Sequence, residues 1–433
     1  MRGDSEPDRA FKNVQFLAQT AHFAQPNRLR TSSIPPLTQR TLPMDKPAPL
    51  RHVAGAADRK GQTMSTGFYH DERTLWHGGG NYTFTLPIGG LVQPLAAGGL
   101  PESPETKRRL KNLMDVTGLI HDLTVSSAPA ATTAQLLRVH PDYYLNEFKE
   151  LSDTGGGELG RRTPFAAGGY EICALSTGLA IAAVEAVLDG THTNAYALSR
   201  PPGHHCLPDF PNGFCLLANI AVAIEAAQAT RPDLKVAVLD WDVHHGNGTE
   251  AIYYDRDDVL TVSFHQEGNY PLDTGDLEDR GKGPGEGLNI NLPLPAGTGH
   301  TAYLHAMERV ALPAIEAFNP DLIIVACGYD ASAIDPLARM LATADTFRQM
   351  TLQIKALATR ICNGNLVLVH EGGYSEAYVP FCGHATIEAL SGSAITAPDP
   401  FGKTFDVRQP GPRFDAFLRA EIDHMAAQLD LIE

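Results

Sequence analysis

The chain of 433 residues holds only two tryptophans, and its six cysteines form no Cys-x-x-Cys pair. Cys173, Cys206, Cys215, Cys327, Cys362 and Cys382 are scattered, which argues against a structural zinc knuckle or a disulfide frame and fits reduced thiols in a cytoplasmic protein. There is no Gly-x-x-x-x-Gly-Lys-Ser/Thr, no Gly-x-Ser-x-Gly and no His-Glu-x-x-His. Those absences remove P-loop nucleotide hydrolysis, the serine nucleophile elbow and the zinc-protease helix. Gly281-x-Gly283-x-Gly285 precedes a strand and does not join strand to helix, so it is no dinucleotide fingerprint. No unbroken apolar run has the length of a membrane span, and the first residues lack the apolar core of a secretory signal. The expectation is a protein with no membrane partner.

Basic residues are also in deficit, with 34 Lys and Arg against 50 Asp and Glu, a net charge of −16. The deficit is uneven. Residues 1–63 carry ten basic and five acidic side chains, leaving 24 against 45 in the remainder. Such an acidic body lacks the surface that direct nucleic-acid binding needs. It is compatible with cationic substrates, though acidic surfaces also simply keep proteins soluble.

A hydrophobic fraction of 43% can build one large α/β domain or two. Residues 1–63, rich in Pro, Arg, Gln and Ser, read as a disordered extension. Met64 offers an alternative start, and 64–433 reads as the folded domain. Glycines at 78–80 and 89–90 break the chain, 67–76 can hold a short strand, and 155–164 reads as a flexible loop. Helices are expected at 106–117, 173–188, 216–229, 301–318 and 346–361, with shorter ones near 248–254 and 386–390. Buried strands are expected at 195–198, 236–239, 259–264, 288–292, 322–326 and 366–369. Helices alternating with short apolar strands imply a single open, mostly parallel sheet covered on both faces. Ligands of such sheets bind beyond the carboxyl ends of the strands, and polar clusters fall at those ends repeatedly.

The most informative stretch is 236–247, VAVLDWDVHHGN. Strand alternation sends Asp240, Asp242 and His244 in one direction. Asp330 ends another strand. Two carboxylates and an imidazole are ordinary ligands for zinc and also admit iron(II) or cobalt(II), although the same residues could merely cap strands and helices. His204 and His205 follow Arg-Pro-Pro-Gly and could divide general base from general acid, with Asp240 and Asn247 to orient them. Tyr374 follows Gly372-Gly373; its phenol could donate to a developing oxyanion, or the segment could be only a turn.

Together RPPGHHC (200–206), NGFC (212–215), DWDVHHGNGT (240–249), SFH (263–265), CGYDAS (327–332) and EGGY (371–374) resemble the arginase–deacetylase fold. More specifically, they are similar to class II histone deacetylases and bacterial histone-deacetylase-like amidohydrolases. The resemblance runs from about residue 67 to 392. It implies hydrolysis of an N-acyl amide such as acyl-lysine. Zn²⁺ would be bound by Asp242, His244 and Asp330. His205 would be the principal acid–base, His204 its electrostatic partner on Asp240, and Tyr374 the group that polarises the carbonyl. Asn247 stands where class II enzymes carry Asn. Gly213, Phe214 and Tyr270 would line the acyl tunnel, and Tyr270, commonly Phe in the family, would make it more polar. A structural K⁺ would use Asp240, Ser263 and the carbonyls of Asp242, His244 and Phe264. Arg108 resembles an arginine near an internal cavity. Polyamine-preferring relatives carry Glu where Leu337 stands, so weak activity on acetylpolyamines is expected. An acetylpolyamine or xenobiotic amidase, a non-catalytic binding protein and a binuclear arginase-type hydrolase are the alternatives, and a homo-oligomer stays open. His384 has no role in this reading.

Overall fold

One interior strand of the sheet is built from five residues with no exposed side chain, Val236–Asp240. Val236 and Val238 enter one apolar layer, and Ala237 and Leu239 enter the other. Period-two alternation thus buries both faces, which is why the segment is apolar throughout. The same split divides Leu322–Cys327 and Leu366–His370 between the two layers.

The computed structural model describes residues 65–79, 82–87, 92 and 99–430. The expectations for 1–63, for Met64 and for the glycines at 80 and 89–90 lie outside these residues. The described residues all fall in one unit, Gly55–Glu433. We number the main strands β1 (Thr66–Tyr69), β2 (Thr124–Ser126), β3 (Asn194–Ala197), β4 (Val236–Asp240), β5 (Val259–Gln266), β6 (Asn289–Leu294), β7 (Leu322–Cys327) and β8 (Leu366–His370). They form one sheet in the order β6-β5-β4-β7-β8-β3-β1-β2, and every pairing is parallel. Between β3 and β4 the chain crosses over the places later filled by β8 and β7. That reversal of strand order opens a crevice at the carboxyl ends of β4, β7 and β8.

Helices Gly169–Leu188 and Asn219–Gln228 cover one face; Ala344–Ile361 and Val379–Ser391 lie on the other. Gly169–Leu188 qualifies the expectation about membranes, since it is long and apolar enough to cross one by length and composition. Its apolar surface is instead packed on β1, β3 and Asn219–Gln228. The expected helix at 301–318 is interrupted by a π turn, Met307–Ala311, before Leu312–Phe318. Pro313 has no N–H to offer the preceding turn, and the wider turn absorbs that loss. The expected loop at 155–164 contains Gly156–Glu158, which pairs antiparallel with Pro164–Ala166. Helices Asp142–Thr154 and Pro412–Gln428 were not anticipated from the sequence.

On helix Pro104–Thr117 the inward residues are Lys107, Leu110 and Met114. Arg108 therefore points outward and pairs with Glu105 and Glu72. The expectation that placed Arg108 near an internal cavity is corrected: helical spacing makes Lys107 the buried cation. His384 acquires a role as a tie, because its Nε2 is 2.9 Å from Thr117 Oγ1 and so links two helices.

Candidate active site

Beyond β4 the alternation continues. Trp241 and Val243 stay in the apolar layer, so Asp240, Asp242 and His244 face the other way. At the end of β7, Asp330 reaches the same place. His244 Nδ1 is 3.2 Å from Asp242 Oδ1 and 3.0 Å from Asp330 Oδ2. One ligand atom from each of the three lies within 4.8 Å of the others, and all three residues are buried. Backbone groups hold the carboxylates in position: Gly372 N–H donates to Asp242 Oδ2 at 2.8 Å, and Val243 N–H to Asp330 Oδ1 at 2.8 Å. A Cβ at Gly372 would run into both carboxylates, so only glycine lets the β8 backbone come this close.

The electrostatics of this cluster call for a cation. Burial resists charge on His244, yet Asp242 and Asp330 outweigh it and raise its pKa to about 10. Burial and the Asp242 charge push Asp330 up to about 6. Two buried carboxylates with one imidazole are a donor set that a divalent ion such as zinc would accept. The residues fit a single divalent ion.

His204 and His205 lie beside this cluster, with ring centroids 4.0 Å apart. His204 Nδ1 meets Asp240 Oδ2 at 3.0 Å, and His205 Nδ1 meets Asn247 Oδ1 at 2.9 Å. An amide oxygen only accepts, so His205 Nδ1 carries the proton and Nε2 is left as the free acceptor. Burial works against charge on His204, but Asp242 and Asp240 lift it to about 10. Burial, then His204 and His244, hold His205 well below its ordinary value. The two imidazoles are thereby driven apart, one charged and one neutral.

A cavity of about 310 Å³ opens over this group. His205, His244 and Tyr374 lie among its lining, together with Gly213, Phe214 and Tyr270. Leu337 lines it as well. Gly213 and Phe214 have φ of 51° and 70°. A phenylalanine in the left-handed region is uncommon, and here it accompanies a ring set against Tyr374, 5.7 Å between centroids. The Tyr270 ring is 5.2 Å from that of His205, and its hydroxyl donates to Asn212 Oδ1. Burial, then Asp330 and Asp242, keep the Tyr374 phenol well above its usual value, so it remains a donor. The twelve residues expected to carry catalysis, metal binding and substrate binding are in one neighbourhood, and Arg108 is not among them.

Others were missed. Glu371 Oε2 accepts from Gly203 N–H at 2.6 Å and His204 N–H at 3.1 Å, fixing the histidine turn from below. Asp335 Oδ2 accepts from Tyr374 N–H, and its Oδ1 from Leu337 N–H, each at 2.8 Å. Arg200, buried just before the histidines, bonds Glu102 at 3.0 Å and the carbonyl of His77 at 2.8 Å.

This geometry has known counterparts. Residues 100–390 match the histone deacetylase domain model. The chain is 57% identical over 369 residues to a histone deacetylase-like amidohydrolase of Pseudomonas aeruginosa, covering 85% of this chain and 97% of that protein. The chain belongs to the histone deacetylase family. Within that family it is also 36% identical over 308 residues to a probable deacetylase of Archaeoglobus fulgidus, covering 69% of this chain and 85% of the relative. The crystal structure of the HDA15 HD domain superposes with a TM-score of 0.69 at 30% identity, over 85% of this chain and 99% of that one. Membership in a deacetylase and amidohydrolase family supports hydrolase activity on an acylated amide.

Proposed function

We propose that this deacetylase-family chain is a zinc-dependent hydrolase of N-acyl amides, acting on acyl-lysine or a related neutral amide. The observation that carries the reading is the convergence of Asp242, His244 and Asp330 with His205 and Tyr374 at one cavity. A divalent ion held by those three residues would supply Lewis acidity toward the scissile carbonyl and would acidify an attacking water.

The chain's own groups do the rest. His205, neutral and with Nε2 unengaged, takes the proton of the attacking water. Asn247 fixes the ring's tautomer. Tyr374 donates its hydroxyl to the carbonyl oxygen as negative charge grows there. An imidazolium then returns a proton to the leaving amine. His204, charged against Asp240, stabilises negative charge nearby. Phe214 and Tyr270 enclose the apolar stem of the substrate and exclude water. Asp240 and Ser263 are register neighbours on β4 and β5, and a structural K⁺ would draw on them.

Leu337 lining the cavity supports the preference for amides that are not polycationic. Metal analysis combined with a fluorogenic acyl-lysine assay tests the reading. Metal-dependent turnover is expected; metal-bound protein inactive across acyl-lysines, polyamines and simple amides would point to a binding protein on the same fold.

A further inference from the structure

The cavity entrance carries charge of one sign. Among the described residues, Arg162 and Arg339 line the cavity and no Asp or Glu does. This is an exception on a chain with 50 acidic residues and a net charge of −16. Both arginines lack an acidic partner among the described residues. Among the described residues, the Arg339 guanidinium donates only to the carbonyls of Ala338 and Pro336, while its backbone N–H donates to Gln266 Oε1 at 2.7 Å. Arg162 stacks its guanidinium over the Tyr270 ring, 5.0 Å from the centroid.

Arg162 is also stitched to the tunnel wall. Its carbonyl accepts from Phe214 N–H at 3.1 Å, and that of Arg161 accepts from Gly213 N–H at 3.0 Å. Its φ of 59° puts a non-glycine residue in the left-handed region. Backbone strain of this kind persists only where surrounding contacts impose it, and it collects at ligand sites. Arg161 adds to the same field: both arginines oppose the upward push that burial gives the Tyr270 phenol. A guanidinium that is only weakly hydrated, half-buried and unpaired is a ready carboxylate receptor.

We infer that the preferred substrate carries a carboxylate on the amine side of the scissile bond, bound by Arg162 and Arg339 at the cavity entrance. The inference rests on the hydrolase reading above. It adds a substrate class: an acyl-lysine whose own carboxylate or acidic neighbours face these arginines. Polycations are repelled by the same charges.

The test uses the full chain and acetyl-lysine peptides of equal length with acidic, neutral or basic flanks. Free Nε-acetyl-lysine and its α-carboxamide distinguish a single amino acid from a peptide as the source of the carboxylate. At low salt kcat/KM should be about tenfold higher for at least one carboxylate-bearing substrate than for its neutral counterpart, and lowest for basic flanks. That ratio should shrink as salt rises, because the charges are partly exposed. In the double variant Arg162→Gln/Arg339→Gln the ratio should fall toward one. Should that variant fold poorly, the salt series on the unaltered chain still decides. Equal rates for acidic and neutral substrates, or a preference for basic flanks, overturn the inference while leaving the hydrolase reading intact. Inactivity of metal-bound protein on the whole series and on polyamines and simple amides as well removes the hydrolase reading itself.

Discussion

Two buried charged clusters sit within the same fold, and they are balanced in different ways. Glu102 has its own cations: Arg200 Nη2 is 3.0 Å away and Lys107 Nζ is 3.3 Å away. Asp242 and Asp330 have only imidazoles, and both flanking histidines are driven toward the charged form at about 10. The first cluster is complete and ties the segment before His204 to the Thr74 and His77 carbonyls. The carboxylates of the second have no lysine or arginine paired with them among the described residues, and their geometry could hold a metal ion. A complete cluster serves to hold structure, whereas an incomplete one needs a ligand from outside.

The comparison breaks most directly at the ligands. Asp330→Asn should abolish metal retention and turnover while leaving the fold in place, since the amide oxygen can still accept from Val243 N–H but the buried negative charge is gone. Circular dichroism beside metal analysis checks both halves. Tyr374→Phe should lower kcat by about 10²–10³, the usual cost of one oxyanion donor, with metal content unchanged. Near-full kcat in that variant would remove Tyr374 from the mechanism.

At the complete cluster the effect should appear in stability and not in chemistry. Glu102→Gln leaves Arg200 and Lys107 buried without a counter-charge and should cost about 3–5 kcal/mol in denaturant unfolding. Its pH dependence sharpens the point. Burial raises the Glu102 pKa, but Arg200 and Lys107 outweigh this and bring it to about 2. A carboxylate depressed in the folded state contributes fully above its unfolded value of about 4.5, and that contribution is lost as pH falls toward about 2. The gap between Glu102→Gln and the unaltered chain should therefore be widest near neutrality and narrow in acid. A gap independent of pH would mean that the ion pair is not the source of the stability. Least in size, Leu337→Glu should raise acetylspermidine turnover several-fold relative to an acetyl-lysine peptide.

The sequence made the alternating parts of the site legible. Asp240, Asp242 and His244 could be placed on one side because Trp241 and Val243 between them are apolar, and the strand period does the rest. Residues whose partners are backbone groups or lie far along the chain left no such pattern. Glu371 grips N–H groups 167 and 168 residues away, and Glu102 meets Arg200 across 98. Asp335 beneath Tyr374 is equally silent, because holding a peptide N–H needs no particular motif. Local signals were also passed over. Helix Asp142–Thr154 buries Tyr144, Leu145, Phe148 and Ser152 at helical spacing, yet it begins behind Pro141, where no helix is expected from the sequence. Arg108 was placed by resemblance, while the spacing of 107, 110 and 114 already pointed to Lys107.

The central claim is that Asp242, His244 and Asp330 bind one ion on which turnover depends. It is tested most directly by stripping the full chain with a chelator, then titrating Zn²⁺ back while following metal content and acyl-lysine hydrolysis together. The account predicts activity rising in proportion to bound zinc and levelling at one ion per chain, with Asp330→Asn neither binding nor responding. Full hydrolysis by metal-free protein would contradict it.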